Sequence, residues 1–192
     1  MEVEPTPLAG LFTVQLAARE DDRGYFMRTY DEMLFAKFGL VVRWVQENQS
    51  FSALAGTVRG LHFQRAPHSE TKFVRVLAGS LLDVAVDLRQ GSPTYGRYHA
   101  VELTAENRRC LYIPKGFAHG FCTTAPRTTI AYKVDNCYAS HAEGGLRWDD
   151  PTVGIRWPLT GAPASISAKD AALPPLEGIA PLEVDDRSDE SR

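Results

Sequence analysis

The sequence predicts a mainly β protein, built as a sandwich, jelly roll or barrel, and three observations support this fold class. The 192 residues include 15 Gly and 12 Pro but only three Met, a balance typical of turn-rich β proteins rather than helical bundles. Apolar residues recur at every second position over 82–88, which is the period of a strand with one face against a core. Similar short runs, separated by turn sequences, recur along the chain.

The first predicted element is a helix over residues 32–38. Asp31 is suited to cap its first turn, and Gly39 stands where a helix ends. No other segment has a convincing helical pattern. Half-buried strands are predicted at 41–48, 57–64, 72–78, 82–88, 97–104, 110–113 and 128–135. The turns between them include 78–80, 91–93 and 114–116, and His119 enters a further apolar strand after the last of these.

A single domain is predicted over residues 1–182. The hydrophobic content of 44% is enough to form a core, and no repeat or low-complexity linker interrupts residues 10–160. From Leu173 onward the chain becomes Pro-rich and then charged. We therefore expect residues 183–192 to form a disordered acidic tail.

Charge and termini exclude several classes of partner. With 21 Lys and Arg against 24 Asp and Glu, the chain lacks the positive excess that binds nucleic acid or anionic membranes. No apolar stretch approaches about 18 residues, and the first residues are acidic where a signal peptide is basic and then apolar. Cys110, Cys122 and Cys137 are too few and too widely spaced for a disulfide framework, and are interpreted as small buried residues. A cytoplasmic location is expected.

Polar residues are concentrated in two segments that otherwise have the pattern of strands, 46–50 and 59–64. If these strands line the mouth of a barrel, alternate side chains project into a cavity. There an arginine can bind a phosphate and a histidine can transfer protons. Taken alone, His62 would be read as a structural histidine, but its polar neighbours favour a functional site.

The segment Pro114-Lys115-Gly116-Phe117-Ala118-His119 resembles the second motif of the cupin superfamily, whose members are double-stranded β-helices or jelly rolls. Metal-binding cupins add an HxH pair from a first motif, but here Gly60 stands two residues before His62. A metal needs three or four placed donors. The remaining histidines lie in contexts typical of turns or surfaces and are interpreted as solvated: His68, His99 and His141. A metal-free site is favoured, with a metal-dependent cupin oxygenase or isomerase using His62 and His119 as the alternative.

Further motifs make the resemblance specific. They are Asp22-Arg23-Gly24-Tyr25-Phe26, Gln46-Glu47-Asn48, Arg59-Gly60-Leu61-His62-Phe63-Gln64, Lys72, Tyr132-Lys133, Trp148-Asp149-Asp150-Pro151 and Ser167-Ala168-Lys169-Asp170. In this order, and together with the motif around His119, they are similar to the dTDP-4-dehydrorhamnose 3,5-epimerase family of cupins over residues 8–176.

The resemblance implies a set of catalytic residues. Members of this family invert carbons beside the C4 ketone of a nucleotide-linked 4-keto-6-deoxyhexose, which requires a base, a group that stabilises the enolate and an acid across the sugar. The matching residues are His62 as base, Asp170 as its carboxylate partner, Lys72 near the ketone and Tyr132 as acid.

The strand pattern supports Lys72 independently, because Lys72 shares a face with Val74 and Val76, where a solvated lysine would be out of place. Tyr132 shares a face with Ile130 and Val134. For Tyr132 the alternation alone would favour a core tyrosine.

The resemblance also implies substrate contacts. Arg23 and Arg59 match contacts to phosphate and sugar, and Tyr138 is placed to stack on the nucleobase. Other positions of the substrate-binding set are Phe26, Arg28, Gln46, Glu47, Asn48, His119 and Glu143. Arg28 is a departure, because the family usually has Glu at this position, and a guanidinium cannot make the hydrogen bonds of a carboxylate. Arg28 therefore bears on the identity of the nucleotide or the sugar, and not on the predicted reaction type.

The sequence thus predicts an epimerase with no cofactor and no metal, acting at C3, C5 or both. Its expected reaction converts dTDP-4-dehydro-6-deoxy-D-glucose to dTDP-4-dehydro-L-rhamnose. By resemblance we expect a homodimer with N-terminal strands packed or exchanged across the interface. The alternatives are a mono-epimerase on another dTDP-, CDP- or GDP-4-keto sugar, the metal-dependent cupin enzyme, and a binding module without catalysis. The complete His, Lys, Tyr and Asp set argues against the binding module.

Overall fold

The computed structural model describes residues 1–41 and 43–184. Its strands are β1 Glu2–Pro5, β2 Phe12–Gln15, β3 Ala18–Asp21, β4 Gly24–Met27, β5 Gln46–Ser52, β6 Val58–Gln64, β7 Lys72–Ala78, β8 Ser80–Asp87, β9 Tyr98–Thr104, β10 Arg109–Ile113, β11 Phe117–Thr123, β12 Thr128–Val134 and β13 Glu143–Gly145. The helices are α1 Glu32–Lys37, α2 Ala168–Ala171 and a 3₁₀ helix, Leu176–Gly178.

The strands form two antiparallel sheets and a separate hairpin. One sheet has the order β1-β2-β10-β7-β12-β5, the other has the order β13-β6-β11-β8-β9, and β3 pairs with β4. The crossovers between the sheets make a jelly roll, so the predicted cupin fold is confirmed.

The main core lies between the two sheets. Val74 and Leu111 of the six-stranded sheet pack against Leu81 and Phe121 of the five-stranded sheet. Burying a side chain of this size stabilises the fold by about 1.5–3 kcal/mol. The core holds the two sheets face to face, with an open cavity between them.

Strand β8 is buried on both faces, which corrects the prediction that it is half-buried. The predicted face, with Val84 and Val86, packs beneath the C-terminal segment around Ile179. The other face carries Asp83 and Asp87, both fully buried. Strand alternation predicted that this face is exposed to solvent, because it carries two aspartates. The carboxylate of Asp87 can nevertheless be buried, because it accepts hydrogen bonds from Arg89, Ser92 and Thr94.

Helix α1 confirms the first predicted element. Asp31 caps it by accepting a hydrogen bond from Leu34 N–H at 3.1 Å, and Gly39 follows with a φ of +67°. The helix buries Phe35 against aromatic rings that include Phe73 and Trp44.

The strand predicted at 41–48 begins only at Gln46. Val41 N–H donates to the Tyr112 hydroxyl at 3.1 Å, and Trp44 stacks on Phe73. This part of the chain therefore belongs to the aromatic cluster under α1.

Four short N-terminal strands, β13, α2 and the 3₁₀ helix were not predicted. They have only three or four residues each, too few to show a period. The remaining predicted strands are confirmed within three residues at each end. Of the predicted acidic tail, residues 185–192 lie outside the described residues. Among the described helices, none has the length and apolar character needed to cross a membrane.

The cysteine and histidine predictions are corrected in part. Cys110 and Cys122 are buried as predicted, and burial raises the pKa of Cys110 to about 12 and that of Cys122 to about 11. Cys137, however, is exposed. His68 and His99 are half-buried rather than solvated, and burial lowers the pKa of His99; His141 is exposed as predicted.

Gly60 allows β6 to approach β11 closely, and we expect Gly60→Ala to be strongly destabilising. Gly60 has a φ of +103°, and an added Cβ would lie 2.7 Å from His119 O and 2.8 Å from Gly120 Cα. Strain and overpacking should lower the free energy of unfolding by about 2–4 kcal/mol, measured by chemical denaturation. Gly161→Ala is the control, because no described atom lies within 4 Å of its added Cβ. Equal stability of the two variants would contradict this reading of the strand contact.

Candidate active site

A cavity of about 680 Å³ opens between the two sheets. Its walls come from β5, β7 and β12 on one side and from β6 and β11 on the other, with the segment 165–170 at its edge. The volume lies in the range of small-molecule sites. The predicted site residues that line it are Gln46, Asn48, Arg59, His62, Lys72, His119, Tyr132, Tyr138, Glu143 and Asp170.

His62 and Asp170 form a hydrogen-bonded pair although 108 residues separate them. His62 Nε2 lies 2.9 Å from Asp170 Oδ1, and the other carboxylate oxygen accepts from Gly60 N–H at 3.0 Å. Helix α2 holds Asp170 in place through its N-cap, since Ser167 Oγ accepts from Asp170 N–H. A carboxylate held this way orients the imidazole, as an acid partner orients the histidine of a hydrolase triad.

Burial and hydrogen bonding shift the pKa values of His62 and Asp170 in opposite directions. Burial lowers the pKa of His62, and the hydrogen bond and negative charge of Asp170 only partly oppose this effect. Burial alone would raise the pKa of Asp170, but the hydrogen bonds from Gly60 N–H and His62 outweigh it and hold that pKa below its usual value. Near neutral pH the pair is therefore a neutral imidazole beside a carboxylate, the state needed for a general base.

Lys72 lies at the start of β7 with its ammonium at the cavity. Lys72 is buried, and its Nζ lies 3.2 Å from Glu70 Oε1. Glu70 also lines the cavity, a residue that sequence reasoning missed. The ammonium can donate a hydrogen bond to an oxygen that becomes negative, since charge inside a pocket is weakly screened.

Tyr132 lies on β12, beside Ile130 on the core side and opposite Asn48 of β5. Burial and the negative charge of Glu70 raise the pKa of its phenol, with a smaller opposing effect from Arg59. The phenol is therefore protonated near neutral pH and can donate a proton.

His62 and Tyr132, the predicted base and acid, lie on opposite walls of the cavity. His62 belongs to β6 of the five-stranded sheet, whereas Lys72 and Tyr132 belong to neighbouring strands of the six-stranded sheet. A sugar ring between the walls would present one face to His62 and the other to Tyr132.

A second histidine–carboxylate pair lies beside the first. His119 is the cross-strand partner of His62, and its Nε2 lies 2.7 Å from Asp83 Oδ1. Asp83 is fully buried, and its Oδ2 has no hydrogen-bond partner among the described residues. Sequence reasoning missed Asp83 because it assigned that face of β8 to solvent. The available signal was a carboxylate in the middle of an otherwise apolar run.

The predicted nucleotide contacts form a connected polar edge of the cavity. Gln46 Oε1 accepts from Tyr138 N–H at 3.1 Å, and the Tyr138 hydroxyl donates to Glu143 at 2.8 Å. Lys169 Nζ lies 2.7 Å from the same carboxylate. The Arg59 guanidinium donates to Phe51 O and also lines the cavity.

Four residues of the predicted set lie outside the cavity. Arg23 has a side chain 89% exposed and pairs with Asp21, and Phe26 is 69% exposed on the same β3–β4 hairpin. The other two make ion pairs elsewhere: Arg28 with Asp31 and Glu47 with Lys133. Glu47 alternates with Gln46 and Asn48 along β5, so the strand period turns it away from the cavity. Binding roles for these four residues remain predictions.

Within residues 1–41 and 43–184, no group of three or more His, Cys, Asp or Glu side chains is arranged to hold a metal ion. His62 and His119 each have a carboxylate partner on Nε2.

Comparisons with known proteins agree on one family. The family model for dTDP-4-dehydrorhamnose 3,5-epimerase matches residues 5–178. A dTDP-4-dehydrorhamnose 3,5-epimerase of Sinorhizobium fredii is 49% identical over 81% of this chain and 80% of its own length. A Legionella pneumophila epimerase in complex with dTDP-4-keto-L-rhamnose superposes with a TM-score of 0.86 at 38% identity, covering 92% of this chain and 93% of that one. ChmJ, a 3′-monoepimerase from Streptomyces bikiniensis in complex with dTDP-quinovose, gives 0.86 at 29% identity, covering 94% and 92%.

Proposed function

Because the chain belongs to the dTDP-4-dehydrorhamnose 3,5-epimerase family, and is thus a sugar epimerase, we propose that it inverts C3 and C5 of dTDP-4-dehydro-6-deoxy-D-glucose. The product would be dTDP-4-dehydro-L-rhamnose. The observation that carries the proposal is the placement of His62 and Tyr132 on opposite walls of one cavity. An inversion needs this arrangement, since a proton leaves one face of the carbon and another arrives at the opposite face.

The reaction begins with proton removal from a carbon beside the C4 ketone. His62 takes the proton on its unprotonated ring nitrogen, and Asp170 stabilises the imidazolium that forms. The electron pair of the broken C–H bond forms a double bond between that carbon and C4, and the ketone oxygen becomes an enolate oxygen. Lys72 donates a hydrogen bond to that oxygen, which favours the enolate over the ketone.

The second half returns a proton to the other face. Tyr132 gives its phenolic proton to the same carbon, and the ketone reforms. Solvent then reprotonates the phenolate and accepts the proton from the His62 imidazolium, which restores both groups. No electron leaves the substrate, so this chemistry needs no redox cofactor. The pair formed by His119 and Asp83 lies beside His62 and offers a further polar contact to the sugar or the diphosphate.

Incubation with dTDP-4-dehydro-6-deoxy-D-glucose in D₂O tests the proposal. We expect NMR to show deuterium at both C3 and C5 and the appearance of the doubly inverted sugar. Exchange at C3 alone would instead support the reaction class of the mono-epimerase neighbour. Absence of exchange at either carbon would overturn the proposal.

The His62–Asp170 pair predicts a specific pH dependence. Because burial lowers the pKa of His62, the base stays neutral to more acidic pH, and kcat/KM should fall only below the ordinary histidine value of about 6.5. Asp170→Asn removes a charge that raises the pKa of His62, so the acid limb should move to still lower pH. Loss of orientation should also reduce kcat about 10²–10⁴-fold. An acid limb that moves to higher pH in this variant would contradict the pairing.

We further propose a homodimer in which the β3–β4 hairpin of one subunit completes the cavity of the other. This proposal is supported by Arg23 and Phe26, which match substrate contacts of the family yet are exposed and outside the cavity of their own chain. Tyr25 on the same hairpin is 61% exposed, so the hairpin offers an apolar surface to a partner.

Mixing two inactive variants distinguishes shared from separate sites. Light scattering should first give about twice the 21.2 kDa chain mass. His62→Ala and Arg23→Ala homodimers should each be weak, but unfolding and refolding them together should restore about a quarter of wild-type activity. In a symmetric dimer, half of the subunits pair across variants, and each mixed dimer regains one complete site. A mixture no more active than its components would exclude a shared site.

A cytoplasmic location is proposed on the state of the thiols. Cys110, Cys122 and Cys137 are all unpaired, as is typical of a reducing compartment. Fractionation of producing cells against a cytoplasmic marker tests this location.

A further inference from the structure

Two histidines outside the cavity face each other across two surface loops. His68 lies in the loop 65–69 after β6, and His141 lies in the loop 136–142 before β13. Their Nε2 atoms are 3.2 Å apart, and the rings are nearly perpendicular, with centroids 4.8 Å apart. His141 is exposed and His68 is half-buried, so the pair is open to solvent.

The backbones that carry these rings are fixed to each other. The Gln64 amide donates to His68 O and Cys137 O, and its oxygen accepts from Ala139 N–H at 2.6 Å. From the other loop, the Asn136 amide donates to Pro67 O and Ser69 O, and Arg65 N–H donates to Ala142 O. The fold therefore holds the two imidazoles together before any ligand binds, so binding does not have to order the loops.

The relative placement of the rings matches two ligands of one ion. With metal–nitrogen bonds of about 2.0–2.1 Å, nitrogens 3.2 Å apart subtend about 100° at the ion, between the octahedral and tetrahedral angles. Lone pairs that converge in this way would place the ring centroids about 5 Å apart. A straight N–H···N hydrogen bond of the same length would place them about 5.5 Å apart. The observed 4.8 Å is closer to the converging arrangement, so the hydrogen bond that joins the two nitrogens in the metal-free chain is bent and an ion could replace its proton.

We propose that His68 and His141 form a surface binding site for a late divalent transition-metal ion, of the class that favours imidazole ligands: Ni²⁺, Cu²⁺ or Zn²⁺. Two protein ligands leave the other coordination positions to water, so the site is a chelating pair rather than a closed structural centre. His68 and His141 do not line the cavity that holds His62 and His119, and this proposal does not rest on the proposed reaction.

A bound ion would cross-link the two loops. The loop 136–142 carries Tyr138 at the cavity edge and leads into Glu143. The ion would therefore make the loop that carries Tyr138 at the cavity edge more rigid. Because a folded chain presents both ligands together and an unfolded one does not, the ion would also stabilise the fold.

Calorimetric titration of the untagged chain with Ni²⁺ tests the site. We expect one Ni²⁺ per chain and a rise in the thermal midpoint in its presence. His68→Ala and His141→Ala should each weaken binding at least about tenfold, because chelation by two preplaced ligands is lost. Each should also lose the rise in thermal midpoint on adding Ni²⁺.

Two control variants keep the result specific. His99→Ala removes a histidine on β9, at the opposite edge of the sheet from β13, and should bind Ni²⁺ as the wild type does. Cys137→Ser removes the exposed thiol of the same loop and should also retain binding. The proposal is overturned if Ni²⁺ does not bind, if both histidine variants bind it with unchanged affinity, or if binding depends on Cys137 and not on the histidines. Midpoints without metal close to wild type confirm that the variants fold.

Discussion

We expect the His62→Ala protein to lose both epimerisation and the exchange of deuterium from D₂O into the sugar. The imidazole of His62 faces the cavity, is neutral near neutral pH because burial lowers its pKa, and is held by the carboxylate of Asp170. Without it, no base removes the first proton, so neither the enolate nor any later step forms. The expected loss in kcat is about 10⁴-fold, the upper end of what a positioned base contributes. NMR of the sugar in D₂O measures both losses in one sample.

His99→Ala is the matched control, because it removes a half-buried histidine from β9, away from the cavity. It should exchange and epimerise at the wild-type rate. A near-ultraviolet circular dichroism spectrum unchanged in His62→Ala would show that the barrel remains folded. Substantial exchange by the folded His62→Ala protein would contradict the assignment of His62 as the base.

Tyr132→Phe should separate the two halves of the reaction. The base pair and Lys72 remain, so deuterium should still enter the sugar from the His62 face. The proton donor on the opposite wall is gone, and product formation should fall about 10²–10⁴-fold. The retained ring still packs against Ile130, so the fold should be little changed. A time course that follows exchange and product together measures the split.

Tyr112→Phe is the control for removing a phenolic hydroxyl. Tyr112 lies in the aromatic cluster beneath α1, where its oxygen accepts from Val41 N–H. Losing that hydrogen bond should lower the free energy of unfolding by about 1 kcal/mol without affecting turnover. Wild-type product formation by Tyr132→Phe, or loss of exchange in it, would contradict the role of acid.

The fold was predictable where the periodic pattern was long. The strands β6 to β9 and β12 have seven or eight residues each, long enough to show a period, and the helix α1 follows from a cap at each end. The short strands β1 to β4 have four residues each, and β2, which pairs with β1, is placed in the sheet by its distant partner β10. A local pattern contains no information about such pairing.

The candidate site was predictable to the extent that its residues belong to motifs. His62, Lys72 and Tyr132 line one cavity as the resemblance implied. The partner Asp170 was assigned by resemblance alone, because no local signal links a residue at the edge of the tail to β6. Asp83 could not be found, because strand alternation assigned it to solvent, whereas the C-terminal segment covers one face of β8 and the six-stranded sheet covers the other.

Asp83 has a thermodynamic consequence for anyone who re-engineers this barrel. A carboxylate removed from water, with one oxygen lacking a hydrogen-bond partner among the described residues, costs several kcal/mol, only part of which the contact to His119 offsets. An apolar residue would suit the middle of β8 better, so a search ranked by stability alone would replace both members of the pair. The fold is thus less stable than its sheets allow beside the candidate site, and a thermostable variant should gain its stability elsewhere.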